Sequence, residues 1–292
     1  MPQRIEMVHA GTMEQSPSWP QVVAHRGAAA ELAEHTLNAY LLAIDEGAEA
    51  LECDVRLTAD GHLVCVHDSR IDRTSDGSGR VSNKTLSQLR QHDFSSWQPD
   101  KARKSADTDS LTGRTVLTLD ELLQVVVDSP RRLEIAIETK HPTRFGGFTE
   151  QALVQMLKRF GLYAPEEKAT QVRVMSFSPI AMRRMRDLAP GIPTVYLMER
   201  TPRLLRSGQL PYDARIAGPS VEIVRDQPDV VRLWQQRGRP IHVFTVDTKQ
   251  DVALCMSRGI SAIISNRPGD ALKWREECWN ELTDQAVPKG VS

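Results

Sequence analysis

The sequence predicts an α/β fold: a TIM-type (β/α)8 barrel in which a hairpin replaces one βα connection. Three observations lead there. Short β-type runs alternate with amphipathic helical stretches along most of the chain, which implies βα units and a mostly parallel sheet. The length of 292 residues suits one such barrel, which commonly needs about 250. One pair of runs is joined by a turn too short to connect parallel neighbours.

The strand candidates, in order, are 21–25, 50–57, 62–67, 133–140, 171–176, 193–198, 214–218, 241–247 and 261–265. Runs 50–57 and 62–67 are separated only by a turn containing Asp60-Gly61, where glycine accepts positive φ at low cost. Either one strand lies outside the barrel proper or a hairpin stands in for one βα unit. Both readings explain nine candidates in an eight-stranded barrel.

The helices between them carry end signals. Thr118-Leu-Asp-Glu121 and Thr248-Lys-Gln-Asp251 resemble capping boxes. Ser178-Pro179 places proline in a tolerated first-turn position. Leu153, Met156, Leu157 and Phe160 form an apolar face that Gly161 closes, and Val230, Val231 and Trp234 do the same before Gly238. Residues 98–115 are polar and aperiodic, which reads as a long exposed loop. The expected organisation is an N-terminal extension (1–20), the barrel domain (21–270) and a C-terminal tail (271–292), the tail holding a short helical pattern through Trp274, Cys278 and Leu282.

Composition narrows the function. Hydrophobic residues make up 40% and charged residues 26%, enough for a core and a hydrophilic exterior. A formal net charge of -1 gives no basic field for nucleic acid, so any affinity for phosphate must be local. The first twenty residues hold no continuous apolar run, so neither a secretory signal nor an anchor is expected. No other segment approaches the roughly 20 apolar residues that span a bilayer. Cys53, Cys65, Cys255 and Cys278 form no CxxC pair, and a reduced, cytoplasmic setting is expected.

Strand periodicity points to the chemistry. Along 51–57, Leu51, Cys53, Val55 and Leu57 share one face, and Glu52, Asp54 and Arg56 the other. Along 133–140, Leu133, Ile135 and Ile137 oppose Glu134, Ala136, Glu138 and Lys140. A barrel strand turns its apolar face to the helices, so the polar faces look into the lumen. Glu52, Asp54 and Glu138 then converge near the C-terminal strand ends, where barrel enzymes build their sites. Two bare carboxylates about 4 Å apart repel by about 4 kcal/mol even at an effective dielectric near 20. The cluster needs shared protons or a hard divalent cation such as Mg²⁺ or Ca²⁺. For any one acid a neighbouring Arg or Lys is the simpler partner; for three converging on strand ends a metal is favoured.

His25-Arg26-Gly27 ends the first strand and His67-Asp68 the third run. Leu63, Cys65 and His67 share a face, which sends His67 away from the helix layer. Two histidines at strand ends suit a general acid and base, although a single histidine is more often structural. Arg26 and Lys140 can grip a phosphoryl oxygen or neutralise the acids. Together these groups suit hydrolysis of a phosphate ester, without saying which ester.

The chain from Val23 to its last strand resembles the glycerophosphodiester phosphodiesterase family. AHRG (24–27), AEHT (33–36), GAEALECDVRLTADG (47–61), LVCVHD (63–68), RTSDGSG (73–79), TLDELL (118–123), IETK (137–140), SFS (176–178), FTVD (244–247) and AIISNRP (262–268) follow in the family's order. The resemblance implies a TIM-type barrel that cleaves small-molecule glycerophosphodiesters to glycerol 3-phosphate and an alcohol. It implies one divalent ion, Mg²⁺, Ca²⁺ or Mn²⁺, on Glu52, Asp54 and Glu138. Acid–base roles fall to His25 and His67, and phosphate contacts to Arg26 and Lys140. Attack by the glycerol 2-hydroxyl through a cyclic phosphate and direct attack by water both stay open. His35 stands where the family often has Asn and is expected to change the wall beside His25. Phe244 replaces a usual Trp and is expected to pack against the glycerol. Lysophospholipase-D-like cleavage in the same site, or a glycerophosphodiester-binding protein without turnover, are the competing readings.

Overall fold

A computed structural model describes residues 18–98, 114–163, 171–201 and 207–286. Most of the predicted 98–115 loop and the outer ends of the extension and tail lie outside the described residues. Each of the nine expected strands is present: β1 (Gln21–His25), β2 (Ala50–Leu57), β3 (Leu63–Cys65), β4 (Glu134–Thr139), β5 (Val172–Ser176), β6 (Thr194–Met198), β7 (Ile216–Pro219), β8 (His242–Val243) and β9 (Ala262–Ser265). Eight run parallel in the order β7-β6-β5-β4-β2-β1-β9-β8. Bridges Ala217–Ile241 and Ser220–Phe244 bring the two ends of that order together into a barrel.

The ninth strand settles the hairpin question. β3 pairs antiparallel with the last residues of β2, Val55–Leu57, and lies outside the ring. Its turn uses Gly61 at φ +86°, and Thr58 Oγ1 donates to Asp60 Oδ1 at 2.6 Å. The 241–247 run is shorter than expected. Only His242 and Val243 form ladder pairs with β9, although Val246 N still donates to Ile264 O. At Phe244 the backbone turns to β7 instead: its N–H donates to Pro219 O and its carbonyl accepts from Val221 N.

Around the ring lie α1 (Leu37–Asp45), α2 (Leu86–Leu89), α3 (Leu119–Asp128), α4 (Phe148–Arg159), α5 (Pro179–Leu188), α6 (Val221–Asp226), α7 (Pro228–Gln236), α8 (Lys249–Ser257) and α9 (Pro268–Ala286). Thr118 begins α3 with a full capping box, accepting from Glu121 N while Glu121 reaches back to the Thr118 N–H. Thr248 accepts from Asp251 N at the start of α8, but Asp251 takes the Thr248 hydroxyl at 2.8 Å. Aspartate is one methylene shorter than glutamate, so the return bond to the backbone is not made. α4 closes as expected: Gly161 sits at φ +68°, Leu162 N donates to Leu157 O and Gly161 N to Lys158 O.

Strand alternation divides the core. Leu51, Cys53, Val55, Ile135 and Ile137 face outward against Tyr40, Leu122, Leu123, Leu153 and Leu157 of the helices. Ala50, Ala136, Met175, Val195, Leu197 and Ile264 fill the interior. A second outer cluster around the fully buried Trp234 joins α6–α9 to the far side of the ring. The N-terminal end of the barrel is plugged by polar groups: Arg173 pairs with Glu134 at 2.9 Å and donates to Gln21 Oε1 at 2.9 Å. All four cysteines are free and buried.

Candidate active site

The register of β2 and β4 builds the acidic cluster. Glu52 and Asp54 lie two apart on one face of β2, and Asp54 stands directly beside Glu138. Ligand oxygens of the three carboxylates come within 4.8 Å of one another. Their residues are 1%, 1% and 7% exposed, so water screens them little. The protein settles Asp54 as the charged member: burial opposes its charge, but His35, Lys140 and Arg26 hold it well below the usual carboxylate range. Burial and Asp54 push Glu52 well above its ordinary value and Glu138 up to about 8. Asp54 Oδ1 is buried with no hydrogen bond, although Lys140 Nζ lies 3.3 Å away. An all-oxygen trio with an unbonded buried oxygen fits a hard divalent cation.

Two cations border the trio. Lys140 Nζ is 2.8 Å from Glu138 Oε1; burial works against its charge, but Asp54 and Glu138 raise it on balance. Arg26 Nε is 3.0 Å from Asp54 Oδ2, and its NH1 donates to Glu34 Oε1 at 3.0 Å. Arg26 takes φ +57°, followed by Gly27 at +85°. A Cβ on Gly27 would stand 2.6 Å from the Ala39 backbone, so the sharp departure from β1 requires glycine.

The histidines flank the acids. His25 Nε2 lies 4.0 Å from Glu52 Oε2, and Nδ1 is 2.8 Å from Asn266 Oδ1. Asp247 accepts the Asn266 Nδ2–H at 2.6 Å and its backbone N–H at 2.8 Å, which turns the amide oxygen toward His25. Nδ1 is therefore the donor, and Nε2 keeps its lone pair. Burial, then Arg26, push His25 down to about 3, so the ring is neutral near pH 7. His67 Nδ1 meets Asp68 Oδ1 at 2.7 Å. Arg73 donates to Asp68 at 2.6 Å and to both oxygens of Glu34 at 2.9 and 2.8 Å. Arg26, Glu34, Arg73, Asp68 and His67 thus form one chain across the mouth.

A cavity of about 180 Å³ joins these groups; His25, Arg26, Glu52, His67, Glu138, Lys140 and Phe244 line it, and Asp54 sits behind them. One expectation holds for a different reason, and one needs correction. Leu63 and Cys65 face the outer helices, so alternation would have sent His67 there too. β3 stops at Cys65, and the non-strand segment after it carries His67 into the cavity. His35 does not form the wall beside His25. At φ +60° and 6% exposure it lies underneath, bonding Asp54 Oδ2 at 3.0 Å and the Tyr40 hydroxyl at 2.8 Å.

Sequence reasoning missed Asn266, Asp247, Arg73 and Phe177. Phe177, 38% exposed, meets Phe244 edge-on at 5.6 Å and lies 5.8 Å from Lys140 Nζ. Asp247 and Asn266 stood in the quoted segments FTVD and AIISNRP, but nothing in spacing pairs them. Phe177 had a local signal, an aromatic between two serines just after β5.

A barrel with an acidic trio, two histidines and two cations at one mouth suits the hydrolysis of a phosphate ester. The model of the glycerophosphoryl diester phosphodiesterase family matches residues 25–270, and the chain belongs to that family. It is 44% identical over 264 residues to the "probable glycerophosphodiester phosphodiesterase 1" of Mycobacterium tuberculosis, covering 88% of this chain and 93% of the relative. It is 30% identical to a glycerophosphodiester phosphodiesterase of Bacillus subtilis, over 87% of this chain and 85% of that one. A phosphodiesterase of Oleispira antarctica, solved in complex with its product sn-glycerol-3-phosphate, superposes with a TM-score of 0.75 at 25% identity, covering 88% and 97% of the two chains. The enzyme is a glycerophosphodiester phosphodiesterase. Among the described residues no helix is long and apolar enough to cross a membrane.

Proposed function

We propose that the enzyme hydrolyses glycerophosphodiesters to glycerol 3-phosphate and an alcohol, with one divalent ion on Glu52, Asp54 and Glu138 and proton transfer by His25 and His67. The carrying observation is the buried trio within 4.8 Å, beneath two histidines in one cavity. The product seen in the Oleispira antarctica structure supports the substrate class. Bound to the trio, Mg²⁺, Ca²⁺ or Mn²⁺ would balance its charge and stabilise negative charge on the phosphoryl oxygens.

The protein's own groups do the rest. Arg26 and Lys140 orient the phosphoryl oxygens, and Phe244 with Phe177 forms an apolar wall for the glycerol carbons. The Nε2 lone pair of His25 accepts the proton of the attacking hydroxyl, from glycerol or water. His67 delivers a proton to the departing alcohol oxygen. Burial lowers its affinity for that proton, while Asp54 and its partner Asp68 favour the charged ring.

The test strips the protein of metal and assays a panel of glycerophosphodiesters, restoring Mg²⁺, Mn²⁺ and Ca²⁺ separately. Release of glycerol 3-phosphate should vanish on stripping and return with at least one ion. Full turnover in a sample verified free of metal contradicts the reading.

A further inference from the structure

A second cavity, of about 350 Å³, opens at the same end of the barrel and shares Lys140 with the active site. Its walls come from the end of β2, the segment after β3 and the loop after β4. Four lining side chains are cationic, Arg56, Arg80, Lys140 and Arg144, and none is a carboxylate. Lys140 is committed to Glu138 and Asp54. The arginines are not balanced in that way. Arg56 spends Nε and NH2 on the carbonyl of His67, at 3.0 and 2.7 Å. Arg144 donates to Asn83 Oδ1 at 2.9 Å. Both acceptors are neutral. Among the described residues, no carboxylate pairs with Arg56, Arg80 or Arg144, whereas Arg70, Arg73, Arg90 and Arg114 each hold at least one.

Three guanidinium groups that no carboxylate contacts directly, set around one concavity, are complementary to an anion rich in oxygen, which their planar forks can bind bidentately. We propose that this cavity is a subsite for a second phosphate, carried on the alcohol portion of the substrate. The inference rests on the reaction proposed above. With the reacting phosphoryl group at Arg26 and Lys140 and its glycerol against Phe177 and Phe244, the other ester arm crosses Lys140 into the basic cavity. His67, whose carbonyl Arg56 holds, stands where that alcohol departs. The enzyme therefore favours glycerophosphodiesters whose alcohol bears a phosphate over those with neutral alcohols, and a cationic headgroup is disfavoured there.

Steady-state kinetics on two compounds tests this: glycerophosphoglycerol, and the same diester with a phosphate monoester on its terminal hydroxyl. Wild type should show a kcat/KM about tenfold or more higher for the phosphorylated compound. The Arg80→Ala, Arg144→Ala double variant should lose that advantage, chiefly through KM, with glycerophosphoglycerol turnover within about twofold of wild type. Lysine at both positions should restore part of it. Equal kcat/KM for the two compounds in wild type, or equal loss on both in the double variant, overturns the subsite. Failure of wild type to release glycerol 3-phosphate from either compound, with the metal restored, overturns the reaction assignment and the subsite with it.

Discussion

Asp247 is not part of the cavity wall, yet it decides which nitrogen of His25 faces the substrate, because it fixes the Asn266 amide by two hydrogen bonds. Replacing Asn266 with Ala frees the ring to take the wrong tautomer. We expect kcat to fall about tenfold with KM little changed, as an interaction felt mainly in the transition state should behave. His25→Ala and His67→Ala each remove a proton-transfer group and should lower kcat by about 10²–10⁴ with the fold intact by circular dichroism. Near wild-type turnover in either variant refutes its role. At this scale the acids and Lys140 were legible because strand periodicity fixes the side from which each residue projects. Asn266 and Asp247 were not, because their pairing depends on the conformation of two loops at the ends of β8 and β9, which carries no period. His35 was misplaced for a similar reason: its positive φ sends the ring beneath the site, and no neighbouring pattern announces that turn.

Elements were easier to read than single residues, since each signal is repeated along several positions. Thr118 shows how much a short motif can say: Ser/Thr-x-x-Glu predicts two reciprocal bonds, and both form. Thr118→Ala should destabilise the protein by about 1 kcal/mol in urea unfolding without altering kcat/KM. Thr248-x-x-Asp251 looks alike in sequence but makes only the first bond, because the aspartate chain is too short to return to the backbone. The β3 run misled in the opposite way. Its apolar run continues to Val66, but the ladder with β2 ends at Val55–Cys65 with one last bond from Val66 N to Asp54 O, and only partner geometry sets that limit. Gly27→Ala should be the costliest small change near the site, adding a Cβ against the Ala39 backbone at a positive φ. A loss of about 2–4 kcal/mol follows from overpacking together with backbone strain.

At the scale of the whole barrel, the two ends are chemically opposite: one is plugged and structural, the other open and reactive. His242 belongs to the plugged end, where burial and then Arg173 hold it well below its ordinary 6.5. The unfolded chain takes up a proton there below pH 6.5 and the folded one does not, so stability falls as pH drops from that value. One such group contributes a slope of up to about 1.4 kcal/mol per pH unit. His242→Leu should flatten stability against pH between 6.5 and 5, leaving the share of the other depressed histidines; an unchanged slope contradicts the assignment. The eightfold strand pattern was legible across the chain because every strand must show an apolar face to the helices. Closure between β7 and β8 was not, since it rests on a few backbone bonds. The direct pairing of β1 with β2 and of β2 with β4 is what aligns them so that distant acids meet. The most direct measurement of that meeting is calorimetric titration of metal-free protein with Mn²⁺. The account predicts one ion per wild-type chain and no binding in Asp54→Asn, which keeps the shape of the side chain but not its charge. An undiminished affinity in that variant would place the ion elsewhere and contradict the account.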